Sequence, residues 1–297
     1  MGLLIIGSTV ADVIVNLPRL PRQGEDLHIH SQALALGGCA YNVFHTARLL
    51  GAEADLFSPV GSGLYGEYVA RELAARGVRP LIPPVVEPNG CCYCLVDETG
   101  ERTFLCHHGA EYRFRREWFD ALDPAAVTGV YLCGLEVEEP TGENLLDSLE
   151  ALAPGVLWFA PGPRIQRIPP RRMARLFALG ANLHLNRREA LAFACAPDAP
   201  AAARLIHSLT GRDVVITLGP EGALCLAGDE LRLIPGCPAQ VVDTIGAGDS
   251  HLGALMAAQS RGLDLFAAAA LANRVAARVV SQAGACLAAL PEGFELG

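Results

Sequence analysis

Short continuous apolar runs alternate along most of the chain with stretches whose apolar positions recur every three or four residues. In several places the helical pattern ends at a glycine and a β-rich run starts within a few residues: ARLLGAEADLFSPV around Gly51, ARLFALGANLHL around Gly180 and HSLTGRDVVITLG around Gly211. Glycine just past a helix takes the left-handed conformation that closes it, and unbroken Val/Ile/Leu runs are those of strands covered on both faces. The pattern predicts an α/β chain with a mainly parallel sheet. Strands are expected at 3–7, 55–60, 130–134, 156–160, 182–185 and 213–218. Helices are expected near 40–50, 64–76, 141–153, 170–179, 187–195, 199–210, 247–261 and 264–281.

Two stretches depart from this grammar. Residues 13–35 are extended and punctuated by proline, and residues 89–108 alternate around the turn DETGE, the pattern of a hairpin. Together they are expected to form a small β-sheet lid on a discontinuous α/β core made of 1–12, 36–88 and 109–297. The lids of two subunits are expected to pair, giving a homodimer. The Pro-rich segments PLIPPVVEP (80–88) and APGPRIQRIPP (160–170) read as stiff connections, the first as a hinge into the hairpin.

Composition narrows the function classes. With 297 residues, 51% hydrophobic and 19% charged, the chain has material for a substantial core and is not disordered. Against 32 Asp+Glu stand 23 Lys+Arg, a net charge of −9, which gives no global attraction to nucleic acid or an anionic membrane. An anionic ligand must therefore be held by a local site. MGLLIIGS carries no basic leader and reads as a first strand, and Ile6 stands where N-myristoylation needs Ser or Thr. The apolar stretch 265–280 is broken by Asn273, Arg274 and Arg278, unlike a bilayer span of about 20 residues. The expectation is a soluble cytoplasmic protein, whose ten cysteines, among them Cys133, Cys195 and Cys225, are reduced and mostly buried.

The strongest chemical signal is VVDTIGAGDSHLGALMAAQ, residues 241–259. A β-rich run leads through Gly246-Ala247-Gly248 into a good helix, so backbone N–H groups at the helix start face outward, where they bind anions and above all phosphate. Asp249 lies in the first turn. It is either a helix cap, worth about 1 kcal/mol, or a base beside the bound phosphate that takes the proton of an attacking hydroxyl.

DTIGAGDSHLGAL closely resembles the C-terminal signature of the PfkB, or ribokinase-like, carbohydrate kinases. LGGCAYNVFHTARLLGA (36–52) resembles their N-terminal glycine signature, and GSTVADVIVNLPRLPRQGE (7–25) their opening, so the resemblance spans essentially the whole chain. It implies a three-layer α/β/α domain with a β lid, and transfer of phosphate from ATP with Mg2+ to a primary hydroxyl of a small sugar or nucleoside. By the same resemblance, Asp249 is the catalytic base, and Gly246, Ala247 and Gly248 form the anion hole. Asp12 holds substrate hydroxyls, Gly37, Gly38 and Asn42 line the sugar pocket, and Glu136 contacts sugar. Asn186 and Glu189 serve the phosphates and Mg2+ through water; at i and i+3 on a helix start they also fit a reciprocal cap. Thr217, Gly219 and Gly222 form the nucleotide-side loop, with Asn273 near the adenine, while Asp243, Ile245 and Gly284 hold a monovalent cation such as K+, the last two through carbonyls.

Departures from the family pattern bear on the acceptor. Where ribokinase-like enzymes often carry Gly-Gly-Lys-Gly-Ala-Asn, this chain reads Gly-Gly-Cys-Ala-Tyr-Asn, with Cys39 and Tyr41 as neutral discriminators that argue against plain ribose. Tyr41 either stacks on a base or aglycone at the pocket edge or faces the core. The cluster Cys91, Cys92, Cys94, Cys106, His107 and His108 lacks the knuckle spacing of zinc sites, since Cys92 and Cys94 share one strand face, and reads as part of the lid hairpin. Two other function classes fit this sequence less well. A non-catalytic sugar or nucleotide sensor has no need of an intact Asp249 and its glycines, and a Rossmann dehydrogenase needs a G-x-G-x-x-G spacing that GSTVAD lacks.

Overall fold

In the computed structural model, which describes residues 2–291 and 293–294, a chain-long alternation of strands and helices builds two sheets. The larger contains β1 (Leu3–Ile6), β4 (Ala54–Phe57), β7 (Gly129–Cys133), β8 (Leu157–Ala160), β9 (Asn182–Asn186), β10 (Val214–Thr217), β11 (Gly222–Ala227) and β12 (Glu230–Pro235), in the order β12-β11-β10-β9-β8-β7-β1-β4. Strands β4 to β10 along this order are parallel, and β11 and β12 add an antiparallel hairpin at one edge. Alternation along β1 shows why both faces are covered: Leu3 and Ile5 enter one core, with α1 (Cys39–Leu49), α8 (Ala247–Ser260) and α9 (Leu265–Val279). Leu4 and Ile6 enter the other, with α4 (Gly142–Leu152) and α7 (Ala199–Thr210). Each parallel strand thus buries both faces, the condition for a parallel sheet and the cause of the unbroken apolar runs. Trp158, almost wholly buried, satisfies its indole N–H on Gln259 of α8 at 2.9 Å.

The remaining helices α2 (Gly63–Ala75), α3 (Gly134–Glu138), α5 (Pro170–Ala178) and α6 (Arg187–Ala194) complete the layers. Asn186 closes β9 and caps α6, while Thr217 is its registered neighbour at the end of β10. These carboxyl ends of parallel strands form one rim, the place where open α/β sheets bind ligands.

The second sheet has the order β3-β2-β5-β6, from β2 (Val10–Asn16), β3 (Ser31–Gly37), β5 (Cys91–Val96) and β6 (Arg102–His107). Its strands begin earlier and end later than the expected 13–35 boundaries: Val10 pairs with Gly37 and Asp12 with Ala35, so Asp12 and Gly37 belong to this sheet. The Pro-punctuated middle, 17–30, is loop rather than strand. One face packs Val13, Val15 and Cys91 against Leu17, Leu27 and Tyr65. The other carries the register neighbours Asp12, Cys92 and Cys106, and beside them Ile14, Cys94 and Phe104.

The hairpin β11–β12 was not expected, and strand 55–60 stops at Phe57. Among the described residues no helix is long and apolar enough to cross a membrane.

Candidate active site

Two helix N-termini converge on Asp249. It is the third residue of α8, whose N-cap is Gly246; no side chain caps this helix, and of its first N–H groups Ala247 donates to the Thr244 carbonyl at 3.4 Å while those of Gly248 and Asp249 have no side-chain partner among the described residues. Beside Gly248 the space is open: a Cβ built there meets nothing within 4 Å. The second helix is α1, capped by Gly38, from which Asn42 Nδ2 donates to Asp249 Oδ2 at 2.9 Å. Asn42 Oδ1 in turn accepts from the Cys286 thiol at 3.3 Å, which fixes the amide orientation. Burial lifts the Asp249 carboxyl to about 6, against the pull of the Asn42 hydrogen bond and of the Cys39 thiol at the start of α1.

Asp12 faces Asp249 from β2. Burial first, and then the Asp249 charge, lifts its carboxyl to about 7. Its Oδ2 lies where a side chain on Gly37 would have to stand, and Gly38, at φ 99°, has the Ser8 carbonyl in the same position. The glycine pair therefore answers two steric demands, a carboxylate against β3 and a left-handed entry into α1. With Asp12 and Asp249 both raised but Asp249 favoured by its donors, Asp249 is the first of the two to ionise.

Glu136 is elsewhere. It sits in α3, fully buried, with Oε1 accepting the Ser8 N–H at 2.8 Å and Oε2 without a partner; burial lifts its carboxyl to about 7. No solute reaches it in this conformation, and it touches the site through the Ser8 backbone and Cys133.

Beside the Gly246–Gly248 turn lies a cavity of about 570 Å³ that gathers Thr217, Gly219, Gly222, Asn273, Ala247 and Gly248. Asn273 lines it with little free polarity. Its amide donates to the carbonyls of Ile234 and Pro235 at 3.1 and 3.0 Å, and its Oδ1 accepts from His251 Nε2 at 3.2 Å. His251 Nδ1 then accepts from His184 Nε2 at 2.9 Å, a buried chain of two neutral imidazoles, each held low by desolvation. At the rim, Asn186 and Glu189 form a full capping box: the Glu189 N–H reaches Asn186 Oδ1 at 2.9 Å and the Asn186 N–H reaches Glu189 Oε2 at 3.0 Å. The Asn186 amide adds a bond to Oε1 at 2.7 Å. The carboxylate of Glu189 is raised by burial and lies within the electrostatic field of Asp249.

A carboxylate held between two helix starts, next to an open glycine turn and a nucleoside-sized cavity, is the layout of a phosphotransferase. The pfkB family carbohydrate kinase profile matches residues 2–292. The chain belongs to the PfkB carbohydrate kinase family.

It is 35% identical over 287 residues to the uncharacterized sugar kinase YegV of Escherichia coli, covering 95% of this chain and 89% of the relative. With ribokinase of Bacillus subtilis it shares 27% identity over 286 residues, 96% of this chain and 94% of the relative. The structure of adenosine kinase from Sinorhizobium meliloti superposes with a TM-score of 0.83 at 22% identity, covering 97% and 96% of the two chains, which concerns the fold. This PfkB protein is thus an ATP-dependent carbohydrate kinase with the ribokinase fold.

The remaining candidates fall around this PfkB site. Tyr41 is 3% exposed, part of the main core, and borders a separate cleft of about 740 Å³ with Tyr68, Arg76 and Cys286; neither Asp12 nor Asp249 lines that cleft. Cys92 and Cys106 are cross-strand neighbours with sulfurs 3.2 Å apart, on the face of the second sheet that carries Asp12. His108 leaves the cluster to bond Glu139 at 2.6 Å and stack on Tyr112, and no group of metal-ligating side chains forms among the described residues. Asp243 accepts the N–H groups of Ile245 and Gly284, each at 2.9 Å. Sequence reading missed its third partner, Arg102 of β6, and the His184–His251 pair, because both contacts join segments far apart in the chain.

Proposed function

We propose that this kinase transfers the γ-phosphoryl group of ATP to a primary hydroxyl of a small sugar, with Asp249 as base and the backbone of Gly246, Ala247 and Gly248 as anion hole. The Asn42–Asp249 hydrogen bond carries this reading, since it holds one carboxylate oxygen and leaves the carboxylate at the mouth of the open turn. The acceptor oxygen attacks the γ-phosphorus as the bond to the ADP oxygen breaks, and the hydroxyl proton passes to Asp249. Asp12 accepts a hydrogen bond from a second hydroxyl and fixes the acceptor in line. The first-turn amides of α8 bear on the phosphoryl oxygens where charge spreads, and the 570 Å³ cavity receives the nucleoside of ATP. Glu189 retains lone pairs beyond its capping bonds and faces the Asp249 field, so this residue with Asn186 suits water-mediated Mg2+. Bound there, Mg2+ neutralises phosphate charge.

The second sheet acts as the lid that excludes water, because it carries Asp12 itself. A nucleoside is the second reading, favoured by Ile14, Cys94 and Phe104 on the same sheet face as Asp12, where a base would pack. Leu34, Phe104 and Leu105 are exposed on the lid, which supports a homodimer formed through it, testable by sedimentation. An ADP-release screen over pentoses, hexoses and nucleosides including pseudouridine tests the function. One strong acceptor whose turnover collapses in Asp249→Asn supports it; ATP hydrolysis without any preferred acceptor overturns it.

A further inference from the structure

Asp243 precedes the turn Thr244-Ile245-Gly246 that opens α8, and its carboxylate is 6% exposed. Oδ1 accepts the Ile245 N–H at 2.9 Å and faces Arg102 Nη2 at 2.9 Å, while Oδ2 accepts the Gly284 N–H at 2.9 Å. One carboxylate therefore fastens three pieces of chain. These are the turn before α8, the segment 284–286 against which Gly246 packs, and strand β6 of the second sheet. Arg102 is itself restrained, 20% exposed, with a further contact from Nη1 to Cys94 Sγ at 3.7 Å.

The family resemblance gives Asp243, Ile245 and Gly284 to a monovalent cation. The surroundings here do not suit one: each carboxylate oxygen already accepts one backbone N–H, and a full positive charge stands against Oδ1 at 2.9 Å. A guanidinium keeps its charge at every working pH, and an alkali cation on the same carboxylate would be repelled by it at close range.

We propose that Arg102 supplies the positive charge at Asp243 in place of an alkali cation, so that seating the lid sheet sets the shape of the anion-binding turn and the enzyme works without K+. Arg102 is a positioning residue, acting on the phosphoryl group only through Asp243 and the turn. Its removal leaves a buried carboxylate without a counter-charge, which is costly and opens the site to a cation from solution. The cation response separates this role from simple packing.

The test uses the full chain as wild type, Arg102→Gln and Arg102→Lys. Ligand-free thermal unfolding is compared in KCl and in tetramethylammonium chloride at equal ionic strength. Wild type is expected to unfold at the same temperature in both, whereas Arg102→Gln unfolds earlier and recovers in part with K+. With the acceptor found by the screen, wild-type turnover is unchanged by K+. Turnover of Arg102→Gln falls on the order of tenfold or more and is partly restored by K+, with Arg102→Lys in between. Wild type stabilised or activated severalfold by K+ overturns the proposal, as does Arg102→Gln that ignores K+ in both arms. Should Arg102→Gln not fold, wild type and Arg102→Lys decide by the same criteria. The unfolding arm needs no acceptor, so a failed screen counts against the kinase reading and leaves this proposal to its own result.

Discussion

The two sides of Asp249 are built on opposite principles. Toward the nucleotide cavity nearly every polar side chain has its hydrogen bonds filled by the chain: the Asn186–Glu189 box is closed, and Asn273, His251 and His184 bond one another and the backbone. What that side offers a ligand is backbone N–H groups, shape and the remaining lone pairs of Glu189. On the other side, two carboxylates within each other's field are held above their ordinary range, and of the two Asp249 receives the Asn42 amide. A site that must grip an invariant ligand can be rigid and satisfied, whereas a site that must move a proton keeps its charges under-compensated. Substitutions on the nucleotide side should therefore act through stability and ATP affinity, and those on the acceptor side through rate.

Asp249→Asn is the most severe way to break this contrast. It retains the helix start and therefore ATP binding, while removing the proton acceptor, and turnover is expected to fall by about 10² or more. ATP affinity by calorimetry and steady-state turnover check the two halves. A variant that turns over near the wild-type rate removes Asp249 from the role of base.

Asp12→Asn is expected to lower kcat/KM for the acceptor on the order of tenfold or more through lost orientation, yet to stabilise the ligand-free protein above neutral pH. The sign follows from linkage: a carboxyl raised on folding favours the protonated folded state, so its contribution is fully present below the ordinary carboxylate pKa and lost as pH rises through about 7. Asparagine removes that loss, so the gain in unfolding midpoint should be seen at pH 8 and vanish near pH 4. In wild type, kcat/KM should rise with pH through the values near 6 and 7 of Asp249 and Asp12 and level off above them. A pH profile with no acid limb in that range contradicts the carboxylate pair.

On the nucleotide side, Asn186→Ala opens the capping box of α6 and should cost about 1 kcal/mol of stability, with a rise in KM for ATP and little change in acceptor preference. Denaturant midpoints and the acceptor panel check both. A reordered acceptor ranking would mean that the two sides are not separable.

How much of this was legible before the fold was known follows from where each signal resides. The parallel strands and their helices were readable because each parallel strand is buried on both faces and several helices end at a local glycine, both properties of contiguous residues. The helix start at Gly246–Asp249 was readable for the same reason. The hairpin β11–β12 was missed because Glu230–Pro235 is a half-exposed edge strand; the two-residue turn Gly228-Asp229 between the apolar run 222–227 and the alternating run 230–235 was the available signal. Asp12 was placed outside the second sheet because nothing in the sequence says where a strand leaves one sheet for another. The sugar contact of Glu136 came from the family resemblance alone, and its burial with the Ser8 N–H on Oε1 has no mark in the local sequence. Arg102 and Asp243 lie 141 positions apart and carry no local mark of their pairing.

The smallest expected effect concerns the two departures in Gly-Gly-Cys-Ala-Tyr-Asn, which the structure sends to different places. The Cys39 thiol holds the Asp249 carboxyl down, so Cys39→Ala should move the acid limb of the pH profile to higher pH while slowing turnover a few-fold. Tyr41 is one position before Asn42 on α1, about 100° around the helix, and its ring is packed in the core beside His45, with ring centres 5.8 Å apart. Burial pushes its phenol to about 12, so it remains a neutral hydroxyl under all working conditions. Tyr41→Phe preserves the ring and removes only that hydroxyl, and should change stability by about 1 kcal/mol or less, leaving the KM for ATP and the ranking of acceptors where they were. The check is one acceptor panel run on wild type, Cys39→Ala and Tyr41→Phe together. A ranking reordered by Tyr41→Phe would mean that the phenol reaches the acceptor and that the 740 Å³ cleft beside it belongs to the acceptor site, joined to Asp249 through the Cys286–Asn42 contact. An unchanged ranking, with a shifted pH profile in Cys39→Ala alone, leaves Tyr41 to the core and assigns the chemical consequence of the departure to the thiol.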